Sequence, residues 1–418
     1  MRFSIQPFLV GLAWFTVAPA MLTQGAEPAA RGAVRFNTAF EGAAMGDVEV
    51  VGETAFRVHV PGQQDARGRN RQATWFYFRM DNVRGRDLTI TLTGFLPGEY
   101  NDRPASHMNG EPKPVFSFDG EHWQHFSTMD WESTKQEGTL HLRPESDSVW
   151  LAFVQPYPHS RLVRLLETIA ASPHARVEIV GRSVLGRDLP VVTVSDFSKP
   201  DALKKTLWLQ ARDHAWESPT SFIMEGALKF IVSNDPAAQA LRENYLLMFT
   251  PMVDPDGSAL GRVRFNANGW DLNRHWDDVD LRDPVWLQRL PEIWYYKKAI
   301  RDHAATGHKI AVLVHLHNTI SEYMAARAPT AADVPVLERF SEILVYRTQF
   351  DPARPLQLTP GFNRRTDAPI PWWAAYGVPL VLIETRIAPG KKLNGSPTAE
   401  HRLAFGRELL LAMAEAVQ

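Results

Sequence analysis

Thr206-Leu207-Trp208-Leu209-Gln210-Ala211-Arg212-Asp213-His214-Ala215-Trp216-Glu217-Ser218-Pro219-Thr220-Ser221 is the stretch that decides how the chain folds. Thr206 to Leu209 is a short apolar run that reads as a buried strand. Ser218-Pro219-Thr220-Ser221 is a helix start, with a proline in the first turn where its missing N–H costs nothing. A buried strand passing directly into a helix is the repeating unit of an α/β domain. Between the two lie His214 and Glu217, an imidazole and a carboxylate placed to share one metal ion. Taken alone, His-x-x-Glu is a common pair, and its meaning depends on what the rest of the chain supplies.

Outward from this stretch, strands and helices alternate. Val177–Val180, Leu189–Val194, Tyr245–Phe249, Lys309–Val314 and Pro379–Ile383 read as strands. Arg161–Ser172, Phe222–Val232, Glu292–His303 and Glu400–Ala416 carry helical spacing. Apolar strands without polar alternation, set between helices, imply a mixed and mostly parallel central sheet covered on both faces. In such sheets functional residues collect beyond the carboxyl ends of the strands. The polar groups at those exits are His214 and Glu217, then Asp254 to Gly257, then His315 and His317, then Glu384 and Arg386.

The N-terminal part has a different pattern. Residues 34–156 alternate with period two in short runs such as Phe56-Arg57-Val58-His59-Val60 and Asp87-Leu88-Thr89-Ile90-Thr91-Leu92, separated by Gly, Pro, Asn and Asp. That spacing predicts an antiparallel β-sandwich, with residues 160–418 as a separate α/β domain. Residues 1–26 begin with one early positive charge, run apolar from Phe8 to Val17 and end in small residues between Ala20 and Ala26, as a secretory signal peptide does. A periplasmic or secreted protein follows, with no stable membrane insertion once the signal is removed. The chain of 418 residues, 44% hydrophobic, can bury the cores of two domains, and a net charge of −2 gives no reason to expect a nucleic acid partner. Because there is no cysteine, disulfides and thiolate metal sites are excluded. Zinc would have to be held by histidine and carboxylate, the ligands typical of catalytic sites.

In an extended strand, residues two apart face the same side, so His315 and His317 can both turn toward one site. Either can complete a His-Glu-His set with one position left for water. Glu384 ends a buried strand, where a carboxylate is expensive unless it is paired or used; it suits a general base, or it pairs with Arg386. Phe265 to Trp276 is a shaped loop rich in Asn and Gly. Within it Asn273 and Arg274 suit a carboxylate, since guanidinium offers a planar two-pronged donor. Asp271 can orient a metal-bound imidazole from behind.

These phrases, in this order, resemble the zinc carboxypeptidases, most of all their cytosolic-carboxypeptidase-like branch. Ala211–Glu217, Pro251–Gly257, Gly269–Trp276 and Leu382–Glu384 carry the resemblance, and Trp75–Phe78, Phe116–Trp123 and Ala152–Tyr157 extend it to the sandwich. By that resemblance one Zn2+ is held by His214, Glu217 and His317, Glu384 is the catalytic carboxylate, and Arg264 polarises the scissile carbonyl. Asn273 and Arg274 hold the free C-terminal carboxylate of a peptide substrate. The chain departs from the pattern at His315, where Asp is usual, and at Asn318-Thr319, where Gly-His is usual, so His315 stands beside His317 as third ligand; Ala215-Trp216, where Pro-Gly is usual, keeps the spacing of the first two ligands. The side-chain pocket falls on Arg364 to Trp373, which offers arginines for an acidic side chain and tryptophans for an apolar one. A metallocarboxypeptidase acting on peptides or peptidoglycan-derived stems is the leading expectation. The alternatives are an N-acyl amino acid deacylase on a related zinc core and a non-catalytic binder of glycans or of a protein partner.

Overall fold

The computed structural model describes residues 32–418 except 97, 101–102, 105–106, 201–203, 355 and 361–376. The expected signal and the side-chain pocket segment lie outside the described residues. Residues 34–418 form one compact unit. Its first part is two five-stranded sheets. One runs Arg35–Asn37, Tyr77–Asp81, Ser148–Ala152, Val115–Ser117, Trp123–His125. The other runs Asp130–Glu132, Glu137–Leu142, Leu88–Thr93, Ala55–His59, Val48–Val50. Pairing is antiparallel except between Ala55–His59 and Leu88–Thr93, which run parallel. Alternate residues such as Leu88, Ile90 and Leu92 are buried in the sandwich core with Phe56, Val58 and Leu140, as period-two patterning requires.

The second part is an eight-stranded mixed sheet. Its spatial order is Ala175–Arg182, Asp188–Val194, Tyr245–Thr250, Lys205–Ala211, Ile310–Thr319, Leu380–Arg386, Tyr323–Ala328, Gln357–Pro360. The four central strands are mutually parallel, so their carboxyl ends open on one edge. Both faces are covered. From Lys205–Ala211, Leu207 and Leu209 pack with the helices Ser218–Ile231 and Ala399–Ala416. Trp208, from the opposite face, packs with Ile293, Tyr296 and Ile300 of the helix Pro291–Ala305. On that second face also lie Leu313 and Leu380, and hence, by the alternation of a strand, His315, His317 and Glu384 farther along. Two amphipathic helices not anticipated from the sequence, Pro236–Asn244 and Val334–Arg347, complete the layers. No helix among the described residues is long and apolar enough to cross a membrane.

The helices Ser218–Ile231 and Ala399–Ala416 meet through two glycines. A Cβ on Gly226 would stand 2.1 Å from the Leu403 carbonyl oxygen, and one on Gly406 would stand 2.0 Å from that of Ile223. Backbone, not a flexible side chain, fills the space on each side, so the helix that follows Glu217 is fixed against the closing helix at the closest approach possible. Gly406→Val should force the two helices apart at a cost of about 1–3 kcal/mol or more, read as a fall of several degrees in Tm; an unchanged Tm would show that the crossing is not tight.

Candidate metal centre

The sequence places His214 and Glu217 by a buried, left-handed turn. Arg212 adopts φ 64°, a conformation uncommon for any residue with a side chain. It is held there by its own guanidinium: Nε donates to the Ala215 carbonyl at 2.8 Å, and Nη1 donates to Ser221 Oγ at 2.9 Å and to the Tyr157 carbonyl at 3.3 Å. The Glu217 amide closes the turn by donating to the His214 carbonyl at 3.1 Å. Trp216, at one of the departures from the resembled pattern, is 1% exposed and packs in the sandwich core. It lies 4.7 Å from the His107 ring and 5.8 Å from Phe153. The turn that carries two expected ligands is thereby anchored in the neighbouring part of the fold.

Glu217 lies between two imidazoles. Its Oε1 is 2.8 Å from His214 Nδ1 and its Oε2 is 2.9 Å from His317 Nδ1. The three donor atoms converge closely enough to hold a metal ion, and all three residues are buried. Two imidazoles and a carboxylate are the donor set of an open zinc site, so the residues present fit the ion that the resemblance implies. Burial alone would raise the Glu217 carboxyl, but the neighbouring His317 and His214 hold it well below the usual carboxylate range. Burial lowers His317 to about 4, which keeps its ring neutral, the form in which an imidazole binds a metal. Burial and Arg264 act to lower His214, yet Glu217 and Asp271 outweigh them and raise it to about 9. His315, on the same face of the strand, reaches neither His214 nor Glu217 by a hydrogen bond; its Nε2 is 2.9 Å from Asp213 Oδ2 and 3.1 Å from His317 Nε2. Of the two histidines left open by the sequence, His317 is the one brought to His214 and Glu217.

Behind His214 stands Asp271. Its Oδ1 is 3.1 Å from His214 Nε2 and accepts from the Asn273 amide at 2.9 Å. Its Oδ2 accepts from Arg264 Nε at 2.7 Å and from the Tyr100 hydroxyl at 2.9 Å. Burial opposes this charge, but Arg264 and Arg274 hold the carboxyl well below its ordinary value. Tyr100 comes from the N-terminal part of the fold, and its ring lies under both guanidiniums, 4.5 Å from Arg264 and 5.5 Å from Arg274. Gln63, also from that part, clamps the loop: its Oε1 accepts from the amides of Val263, Arg264 and Phe265 at 2.9, 2.7 and 3.1 Å. Gly269, at φ 80°, lies so close to Ala66 that a Cβ would be 2.6 Å from the Ala66 nitrogen.

Glu384 sits beside His317 in register on the adjacent strand. Arg386 pairs with Glu322 at 3.2 Å, so the ion pair weighed for Glu384 is not made. Its Oε1 accepts from the Tyr323 hydroxyl at 3.3 Å, and its buried Oε2 has no partner among the described residues. Burial, then the charge of Glu217, pushes the carboxyl up to about 8. Asn273 Oδ1 and Arg274 Nε are likewise buried without a partner among the described residues. The site thus contains polar atoms whose capacity no described residue uses. Tyr100, Gln63 and His107 were not found by sequence reasoning, because their partners lie more than a hundred residues away and no local spacing marks them.

Residues 162–289 match the family model described as zinc carboxypeptidase, and residues 36–154 match that of the cytosolic carboxypeptidase N-terminal domain. A protein named cytosolic carboxypeptidase 2 from Macaca fascicularis is 29% identical over 259 residues, covering 56% of this chain and 29% of its own length. The chain therefore spans about three tenths of that relative. A metallo-carboxypeptidase structure from Burkholderia cenocepacia superposes with a TM-score of 0.77 at 23% identity, over 92% of this chain and 99% of the other. One from Pseudomonas aeruginosa, in complex with (2-guanidinoethylmercapto)succinic acid, gives 0.74 at 23% identity, over 92% and 100%. These likenesses establish the fold that the sequence predicts, a mixed sheet with helices on both faces preceded by a β-sandwich. The chain carries a zinc carboxypeptidase domain and, ahead of it, the N-terminal domain of the cytosolic carboxypeptidases.

Proposed function

We propose that this protein is a zinc-dependent carboxypeptidase that removes C-terminal residues from peptides. The observation that carries the reading is the convergence of His214 Nδ1, the Glu217 carboxylate and His317 Nδ1 at one buried point, beside a carboxylate left unpaired at Glu384 Oε2. Those three residues would hold the zinc. Bound there, it would supply a Lewis acid and a water whose pKa falls to about 7.

The remaining steps belong to the chain. Glu384, its affinity for a proton raised by burial, takes the proton of the attacking water and returns it to the departing amine. Arg264 donates to the oxygen that becomes negative as the carbonyl is attacked, a contribution of about 3 kcal/mol in comparable sites. Asn273 and Arg274 bind the terminal carboxylate, which confines cleavage to the chain end because an internal bond has no carboxylate to grip. Asp271 keeps the His214 ring turned so that Nδ1 faces the metal position, and Tyr100 holds Asp271 and the two arginines in their mutual arrangement. The substrate reading extends to peptides with acidic C-terminal residues and to peptidoglycan-derived stems, which a panel of peptides varied at the last residue would separate. Export belongs to the same reading and rests on the pattern of residues 1–26; a mature N-terminus between residues 21 and 27 is expected on sequencing the exported protein, and an intact Met1 would contradict it.

Glu384→Gln should bind zinc as tightly as the wild type and lose hydrolysis by about 10²–10⁴-fold, the usual yield of a positioned base. His214→Ala should lose hydrolysis together with the ion held by His214, Glu217 and His317. Full activity in Glu384→Gln would remove the base from the account. Tyr100→Phe deletes one hydrogen bond to Asp271 and should lower kcat/KM by about fivefold, or about 1 kcal/mol, with far-UV circular dichroism unchanged. An unaltered kcat/KM would show that the N-terminal domain does not shape the site through this residue.

A further inference from the structure

On the far side of His317 lies a second group of buried donors that the reaction above does not use. His315 Nε2 is 3.1 Å from His317 Nε2 and 2.9 Å from Asp213 Oδ2. Gln210, whose strand position is in register with His315, brings Nε2 to 3.1 and 3.3 Å from the Asp213 oxygens and 3.3 Å from His315 Nε2. All four side chains are buried at 0% exposure. Three considerations point to a ligand here. Asp213 is a carboxylate in the interior, where an uncompensated charge costs heavily, and among the described residues its one ion-pair partner is His315. A single ring nitrogen, His315 Nε2, meets a carboxylate oxygen and a second imidazole nitrogen at once, and with one hydrogen or one lone pair it cannot serve both. Gln210 Oε1 and His315 Nδ1, in the same cluster, are buried with no partner among the described residues.

We propose that Asp213, His315 and His317 form a second site for a divalent cation of the zinc class, so that the His317 ring bridges two cations, one at each nitrogen. The inference rests on the reading of His214, Glu217 and His317 as the first site. The second set mirrors the first. Its donor atoms also lie within 4.8 Å of one another, and its neighbouring pairs, at 2.9 and 3.1 Å, match the 2.8 and 2.9 Å of the first triad. Tetrahedral bonds of about 2.0–2.2 Å place donors about 3.4 Å apart, so either set opens by a few tenths of an ångström to admit an ion. A half-turn of the Gln210 amide presents its unpartnered oxygen as a fourth donor. Two imidazoles with a carboxylate favour zinc or cobalt over calcium or magnesium, which prefer all-oxygen shells. The second cation takes the place of the His317 Nε2 hydrogen, which leaves as a proton to solvent.

Metal binding to the full chain tests this. The protein is stripped with a chelator, saturated with Zn2+, freed of excess and analysed for metal per chain, with Co2+ absorption as a parallel readout. The wild type should hold two equivalents, Asp213→Asn and His315→Asp one each, and His214→Ala one; circular dichroism checks that the variants are folded. A wild type that saturates at one equivalent while still trimming peptides overturns the second site and leaves the proposed function standing. A wild type that binds none overturns both. Two equivalents retained in both Asp213→Asn and His315→Asp would place the extra ion elsewhere and likewise refute the assignment.

Discussion

The carboxylate of Asp271 is the constraint on which the rest of the site depends. Buried in the interior, it takes a hydrogen bond from each of four directions: the His214 ring, the Asn273 amide, the Arg264 guanidinium and the Tyr100 hydroxyl. A carboxylate without such donors would not remain ionised there. With them, one charge ties together His214, Arg264, the loop that carries Asn273 and Arg274, and the N-terminal domain. Each of these groups is misplaced if another moves, which is how a site built from distant segments can be held to the tolerance that catalysis needs.

The N-terminal sandwich is accordingly part of the site's framework. Trp216 buries in its core from the ligand turn, Gln63 gathers three amides around Arg264, and Ala66 fits against Gly269. These contacts place the sandwich against the loop from Val263 to Asp271. They also give a physical reason why Ala215-Trp216 can stand where Pro-Gly is usual in the resembled family. Arg212 already fixes the turn by three hydrogen bonds to its surroundings, so a rigid proline is not required, and the indole becomes an anchor.

Much of this was legible in the sequence because it is periodic or local. Apolar strands between helices gave the mixed sheet, alternation put His315 and His317 on one face, and the three-residue spacing of His214 and Glu217 put both at a strand exit. The helix Val334–Arg347 carried the same kind of signal, with Leu337, Phe340 and Leu344 on its buried side, but it was not picked out. What could not be read was the choice between His315 and His317. Strand alternation gives both rings the same face, and only packing decides which one reaches Glu217. Tyr100 and Gln63 were illegible for a different reason. The strand Glu99–Tyr100 is two residues long, and its contact with Asp271 spans 171 positions. Asp213 was visible beside His214, yet nothing local marks a carboxylate that will be buried beside a histidine from another strand.

The central claim is that the buried His214–Glu217–His317 centre hydrolyses peptides at their carboxyl end. It is tested most directly by mass spectrometry of one peptide, with its C-terminus either free or amidated, after incubation with the zinc-loaded and the chelator-stripped full chain. The account predicts stepwise loss of terminal residues from the free peptide with the loaded protein alone, and none from the amidated peptide. Internal cuts, equal trimming of the amidated peptide, or activity that survives removal of the metal would contradict it.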